Sequence, residues 1–249
     1  MANLSVNVNK VATLRNSRGG RVPSVLEAVD VCLHAGAPGI TVHPRADQRH
    51  ITPGDVRDIA RVLRRDWRGI EFNIEGDPRP DLLDLVDEVR PDQCTLVPVV
   101  PGEITSQAGW REGPTSAAIP GVVRRLHDCG VRVSLFVDAD ADAIRWAAST
   151  CADRVELYTE PFARAFEQGA DAGRASFARF VAAAEVAHTL GLGINAGHDL
   201  DLANLVLFRE LPHLDEVSIG HAIVSRALFV GLATVVREYL QVLSSEVGS

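Results

Sequence analysis

The feature that most constrains this chain is an alternation running its whole length, in which short apolar, β-branched segments are each followed by a longer stretch of helical periodicity. Segments 4–8, 39–42, 70–74, 93–97, 131–137, 154–158, 193–195 and 216–219 read as strands, eight in all. Strands separated by helix-length segments imply parallel pairing through crossover helices. Both an open doubly wound sheet and a closed barrel use that alternation. The glycine fingerprint of the open dinucleotide-binding sheet is absent, and 249 residues is the ordinary size of an eight-unit barrel. The sequence therefore predicts an α/β chain, a (β/α)₈ TIM barrel formed as one domain by residues 1–249.

Helix boundaries agree with this division. Ser24-Val25-Leu26-Glu27 has the pattern of a capping box. Thr52-Pro53-Gly54-Asp55 offers an N-cap, a proline at the first helical position and an early acid. Ala35-Gly36, Cys129-Gly130 and Leu190-Gly191 each put a glycine where a left-handed C-cap is wanted, shortly before the next strand. Segment 98–114 is the one long irregular stretch, and loops of that length in a compact fold act as lids or binding loops.

The net charge of −8 opposes a nucleic-acid surface, which needs excess Lys and Arg to displace counterions from phosphates. Cys32, Cys94, Cys129 and Cys151 are too widely spaced for a zinc knuckle or a disulfide framework and are expected to be small core residues. No apolar run approaches the ~20 residues that span a bilayer, and no basic leader precedes an apolar stretch. A cytoplasmic protein without a membrane partner is expected.

Chemistry in such a barrel sits at the C-terminal ends of the strands. The residues at or just beyond those ends are Asn7, Asn9 and Lys10, then His43 and Arg45, Glu75, Thr105 in the long loop, Asp138, Glu156, His198, and Gly220-His221. A lone strand-end His or Glu is more often structural; convergence of so many on one rim reverses those odds. His43, His198 and Glu75 are suited to proton transfer, the last once burial or a charge raises its pKa. Lys10, Arg18, Arg45 and His50 supply cations for an anion, and the Gly220-His221 turn opening the last helix suits a phosphate on backbone N–H groups. His34, His127, His188 and His213 fall at helix ends or in a loop and are given no chemistry.

In order along the chain, residues 7–19 (NVNKVATLRNSRG), 39–45 (GITVHPR) with Arg49-His50-Ile51, Asn73-Ile74-Glu75, Leu96-Val97-Pro98 with Glu103-Ile104-Thr105, residues 133–138 (VSLFVD), Asn195-Ala196-Gly197-His198 and Ile219-Gly220-His221-Ala222 resemble the signature blocks of the pyridoxine 5′-phosphate synthase family. The resemblance implies a barrel with extra helices, assembled as a homo-octamer, that joins two small phosphorylated ketones, 1-deoxy-D-xylulose 5-phosphate and 3-amino-2-oxopropyl phosphate. Neither a cofactor nor a metal is implied. By match to the family's motifs, His43 and Glu75 accept protons and His198 donates one. Asn7, Arg18, the backbone of Asp199 and Gly220-His221 hold the aminoketone phosphate. Arg45, His50, Thr105 and the Asn9-Lys10 pair hold the deoxyxylulose phosphate.

Three positions depart from the family's commonest pattern: Asn9-Lys10 stands in place of Asp-His, and Asp199 in place of Gly. Lys10 is the only lysine among 25 Lys and Arg residues. A compact ammonium that polarises the ketone or steadies its phosphate is the expected role, ahead of a Schiff-base lysine and of a surface residue without function. Two rival readings use the same rim. One is a divalent-metal epimerase or aldolase with ligands drawn from His43, Glu75, Asp138, Glu156, His198 and His221. The other is a barrel that binds phosphorylated metabolites without catalysis.

Overall fold

The computed structural model describes residues 1–99 and 108–245. Eight parallel strands close on themselves in sequence order, with β1 pairing both β2 and β8. They are β1 (Asn3–Asn7), β2 (Gly39–Val42), β3 (Glu71–Gly76), β4 (Gln93–Leu96), β5 (Arg132–Val137), β6 (Arg154–Tyr158), β7 (Gly193–Gly197) and β8 (Leu214–Ile219). The expected barrel is the observed one, with strand ends displaced by one or two residues. β1 stops at Asn7 because Val8 already occupies the N-cap of the next helix.

Around the strands run α1 (Asn9–Asn16), α2 (Val25–His34), α3 (Pro53–Asp66), α4 (Pro80–Val89), α5 (Ile119–Asp128), α6 (Ala141–Ser149), α7 (Glu160–Glu167), α8 (Ala170–Thr189), α9 (Leu205–Phe208), α10 (His221–Val230) and α11 (Leu232–Ser244). α3 starts as its sequence predicts, with Thr52 Oγ1 accepting from Asp55 N at 3.2 Å and the Asp55 carboxylate accepting from Thr52 N at 2.8 Å. Ser24 caps α2 by accepting from Glu27 N at 3.2 Å. Where the chain leaves α2, α5 and α8, Gly36, Gly130 and Gly191 take φ values of 103°, 76° and 78°, the left-handed region that a Cβ disfavours. α1, α7 and α10 are extra to the eight-unit pattern. α7 is anchored by Phe162, whose ring centroid lies 5.0 Å from that of Phe208.

The two faces of the strands divide the chemistry in an uncommon way. Leu4, Val6, Ile40, Val42, Phe72 and Ile74, with their counterparts around the ring, form the apolar layer under the helices. The alternate positions point into the barrel and are polar, where branched aliphatic residues usually fill the space. Ser5 Oγ and Thr41 Oγ1 are 2.6 Å apart, Asn73 donates to Thr41 at 3.3 Å, and Thr95 donates to Asn73 at 3.1 Å. Across the lumen, Asn195 on β7 donates to Gln93 on β4 at 3.3 Å and to Glu216 at 3.4 Å. Arg154 and Arg132 close the lower layer, donating to Asn195 at 2.8 Å and to Gln93 at 3.0 Å.

At the opposite end from the rim, one device recurs at near-constant spacing. The Asp92 carboxylate, just before β4, accepts from Phe72 N of β3 at 2.8 Å; Asp153, just before β6, accepts from Val133 N of β5 at 2.7 Å; Asp215 of β8 accepts from Ile194 N of β7 at 2.9 Å. Each satisfies a backbone donor at a strand start that sheet pairing leaves over. The first quarter of the barrel has Pro38 in the corresponding place, and only its carbonyl contributes, accepting from Glu71 N at 3.0 Å.

Two sequence expectations need correction. Cys32 and Cys94 are core residues, but Cys129 is half-buried with its thiol on the Asp87 carboxylate at 3.3 Å, and Cys151 is exposed with φ 64°. Both follow helix ends, where the chain turns outward. Asp138, placed on the rim, turns away from the barrel mouth: it accepts from Gly109 N at 3.0 Å and from Arg111 at 2.9 Å, and it lines a separate cavity of about 510 Å³.

Candidate active site

A cavity of about 850 Å³ opens at the C-terminal mouth of the barrel. The end of β1 contributes Asn7 to its wall and the start of α1 Asn9 and Lys10; the segment after β2 adds His43, Arg45 and His50, β3 Glu75, the turn after β7 His198 and Asp199, and the junction of β8 with α10 Gly220 and His221. Eleven of the thirteen residues expected from sequence to move protons or hold substrate thus line this one cavity. Arg18 does not: it lies exposed in the turn after α1, outside the cavity lining. Thr105 falls outside the described residues.

His43 and Glu75 form the centre. The imidazole Nδ1 is 3.9 Å from Glu75 Oε2, close enough for a proton to pass after a small movement. Asn7 ties the pair to β1, its Nδ2 donating to Glu75 Oε2 at 3.3 Å and its Oδ1 accepting from Asn9 N at 3.1 Å. Asn9 Oδ1 in turn accepts from His43 N at 2.9 Å. Ser218, across the lumen on β8, donates to Glu75 Oε1 at 3.3 Å. Gly220 is required by this packing, because a Cβ there would lie 2.7 Å from the Asn7 carbonyl oxygen.

Electrostatics push both central groups toward their neutral forms. Burial raises the Glu75 pKa to about 8, with Glu216 adding to the rise and the Ser218 hydrogen bond opposing it. Burial first, then the neighbouring His50 and the guanidinium charges of Arg45 and Arg79, holds His43 well below the ordinary histidine value. At neutral pH the resting pair is therefore a carboxylic acid beside an imidazole base. His50 is lowered to about 4 by burial, Arg45 and Lys10. Two ring nitrogens, His43 Nε2 and His50 Nδ1, are buried with no hydrogen-bond partner among the described residues, which is uncommon for buried polar atoms.

His198 approaches from the other side of the mouth, clamped between Phe136 and Tyr158 with ring centroids 5.2 and 5.4 Å away. Burial lowers its pKa, Asp199 and Glu160 oppose that fall, and Lys10 adds to it. His198 and Asp199 have φ values of 83° and 56°, two successive left-handed residues that turn the chain sharply after β7. Thr159 Oγ1 donates to the His198 carbonyl, and Asn204 Nδ2 donates to the Asp199 carbonyl at 3.0 Å. Asp is among the side chains that best tolerate that left-handed conformation.

Glu156, seen on the rim from sequence and considered there only as a metal ligand in a rival reading, belongs to the cavity. Its carboxyl is pushed well up by burial and then by Glu75, and Oε2 has no partner among the described residues. Gly197 makes room for it, since a Cβ there would sit 2.4 Å from Glu156 Oε1. Ser218, and Glu160 and Arg164 of α7, were missed altogether. A polar residue at alternate positions of the last strand was the available signal for Ser218; none marked the α7 pair. Among the described residues no three His, Cys, Asp or Glu side chains are grouped to hold a metal ion.

Residues 4–245 match the family described as "Pyridoxal phosphate biosynthesis protein PdxJ". The chain belongs to that family. A relative from Porphyromonas gingivalis named pyridoxine 5′-phosphate synthase is 50% identical over 240 residues, covering 96% of this chain and 98% of its own. One of the same name from Leptospira biflexa is 48% identical, covering 98% of both. Among solved structures, phosphoribosyl anthranilate isomerase from Thermotoga maritima aligns with a TM-score of 0.63 over 98% of each chain. At 10% identity that likeness is one of fold alone. At the three positions read from sequence as unusual, Asn9 serves the backbone of His43, Lys10 stands exposed at the cavity wall, and Asp199 fills a left-handed turn.

Proposed function

We propose that this chain is a pyridoxine 5′-phosphate synthase, condensing 1-deoxy-D-xylulose 5-phosphate with 3-amino-2-oxopropyl phosphate to pyridoxine 5′-phosphate, inorganic phosphate and water. The observation that carries the reading is the pairing of His43 with Glu75 at 3.9 Å, both biased neutral, at the floor of a cavity large enough for two phosphorylated substrates. Imine formation, loss of phosphate and water, and ring closure are serial proton transfers. Neutral His43 is poised to accept a proton, and Glu75 becomes an acceptor once its own proton has passed on. His198, facing them across the mouth, is the donor to a leaving oxygen.

The start of α10 at Gly220-His221, with Asn7 and the backbone of Asp199, is suited to the aminoketone phosphate. Arg45 and His50 suit the deoxyxylulose phosphate, with Lys10 beside them as an ammonium for that phosphate or its ketone. Lys10 is exposed and lacks the burial that activates a Schiff-base lysine. Arg18 and Thr105 enter these two contacts by resemblance alone. No described helix is long and apolar enough to cross a membrane, which supports a cytoplasmic enzyme. Leu228 and Phe229, 70% and 87% exposed at the end of α10, support self-association toward the homo-octamer.

The test is incubation with both substrates, the aminoketone generated in situ, while following pyridoxine phosphate by absorbance and phosphate release. Stoichiometric appearance of both products is expected. Phosphate release without ring formation, or neither product, would refute the reading.

A further inference from the structure

β2 ends at Val42, so His43 stands one residue beyond the sheet and its orientation is not set by strand pairing. Three contacts fix the backbone around it. His43 N donates to Asn9 Oδ1 at 2.9 Å, the His43 carbonyl accepts from Arg45 N at 3.0 Å, and the Pro44 carbonyl accepts from Arg79 Nη2. Only the last comes from beyond β3, where the chain leaves Glu75 and enters α4. Arg79 is itself braced: Nη1 donates to Asp77 at 2.5 Å and Nε to Asp81 at 3.1 Å, and its side chain is only 15% exposed. It occupies the N-cap of α4 without capping it, so its side chain is spent on the neighbouring strand end.

We propose that Arg79 is a positioning residue for His43, holding the Pro44 carbonyl from the start of α4 and so fixing the imidazole against Glu75. A planar guanidinium with donors on three edges suits this task, since one group must reach a carbonyl and two carboxylates in different directions. Its charge acts on His43 as well. The groups facing that imidazole are Glu75 on β3, Arg45 and His50 from the β2 loop, Arg79 from α4 and His198 from β7. Arg79 is one of the cations among them that hold His43 neutral. The inference rests on the acid/base role given to His43 above.

The test compares Arg79→Met, Arg79→Lys and Asp81→Asn with the wild-type protein, each checked for an unchanged melting profile. Steady-state kinetics with each substrate is read beside an NMR titration of the His43 imidazole, assigned by its loss in His43→Gln. Arg79→Met is expected to lower kcat about 10- to 100-fold, the scale of a misplacement near 1 Å, with both KM values within about twofold of wild type. His43 should also begin to protonate at higher pH. Arg79→Lys should return the titration toward wild type while restoring kcat only partly, because one ammonium cannot hold all three partners. Asp81→Asn, whose amide oxygen still accepts from Arg79 Nε so that all three partners of the guanidinium are kept, should match wild type in both. Wild-type kcat in Arg79→Met, or a loss of kcat with the His43 titration unmoved, would overturn the proposal. If the wild-type protein forms no product, the synthase reading fails, and the titrations still decide whether Arg79 controls His43.

Discussion

Replacing Glu75 with Gln should stabilise the protein at alkaline pH while removing most of its activity. In the fold, Glu75 holds its proton to about pH 8, against an ordinary value of 4.5. Below pH 4.5 both the folded and unfolded chains carry that proton and no stability depends on it. As pH rises from 4.5 through 8 the unfolded chain releases the proton first, and the fold loses stability. At about 1.4 kcal/mol per unit, a shift of this size has a ceiling of about 5 kcal/mol. Glu156 and Glu216 lie in the same buried set and share the cost, so roughly 2 to 3 kcal/mol is expected from the single change. Gln fits the site sterically: its oxygen can accept from Asn7, and Ser218 can reverse its hydroxyl to accept from the new amide. Urea midpoints of wild type and Glu75→Gln at pH 5.5 and 8.5 would measure it. The variant should show a shallower decline between the two and the higher midpoint at pH 8.5. Parallel declines, with no advantage to the variant at pH 8.5, would refute the burial argument.

His43→Ala should fold normally and lose about 10² to 10⁴ in kcat, the usual share of a general acid/base group, as read by product formation. Gly220→Ala places a Cβ 2.7 Å from the Asn7 carbonyl oxygen, and it should raise KM for the aminoketone more than for deoxyxylulose phosphate; equal effects would argue against the phosphate site at α10. His50 is held at about 4, below its ordinary 6.5, so the fold should lose stability as pH falls from 6.5 through 4. His50→Gln should flatten that acid limb in urea titrations. Phe229→Glu removes an exposed ring that supports no core; sedimentation should show smaller assemblies with the melting of the isolated chain unchanged.

The barrel was legible because each strand and helix carries its own period, and misplacements were confined to ends such as Val8, where a helix cap competes with the sheet. Asn7 and Glu75 were legible as site candidates because a strand's pleat dictates where its side chains point, while His43 and His198, each one residue past its strand, were legible from their place on the rim and their residue type. Arg18 and Asp138 lie beyond that control, in a turn and a loop, and rim position alone did not say where they would face. The polar lumen was present in the sequence as Arg132 and Ser134 or Glu216 and Ser218 at alternate positions. An eye set for apolar runs passes over it, because those residues look like breaks in a strand until the closed barrel pairs β4 with β7 across its axis. Arg79 could not be assigned from sequence, since its partner Pro44 is distant along the chain and meets it only through the packing of two loops.

The carboxylates of Asp92, Asp153 and Asp215 fasten the barrel at the end opposite the candidate site. Those fastenings and the candidate site thereby fall at opposite termini of the same strands, separated by the polar lumen. None of those three fastenings involves a residue of the mouth. Asn9, Lys10 and Asp199 occupy the mouth end. The same separation makes the chain a scaffold in which a new mouth could be written on an inherited base, with the three aspartates as the part to keep.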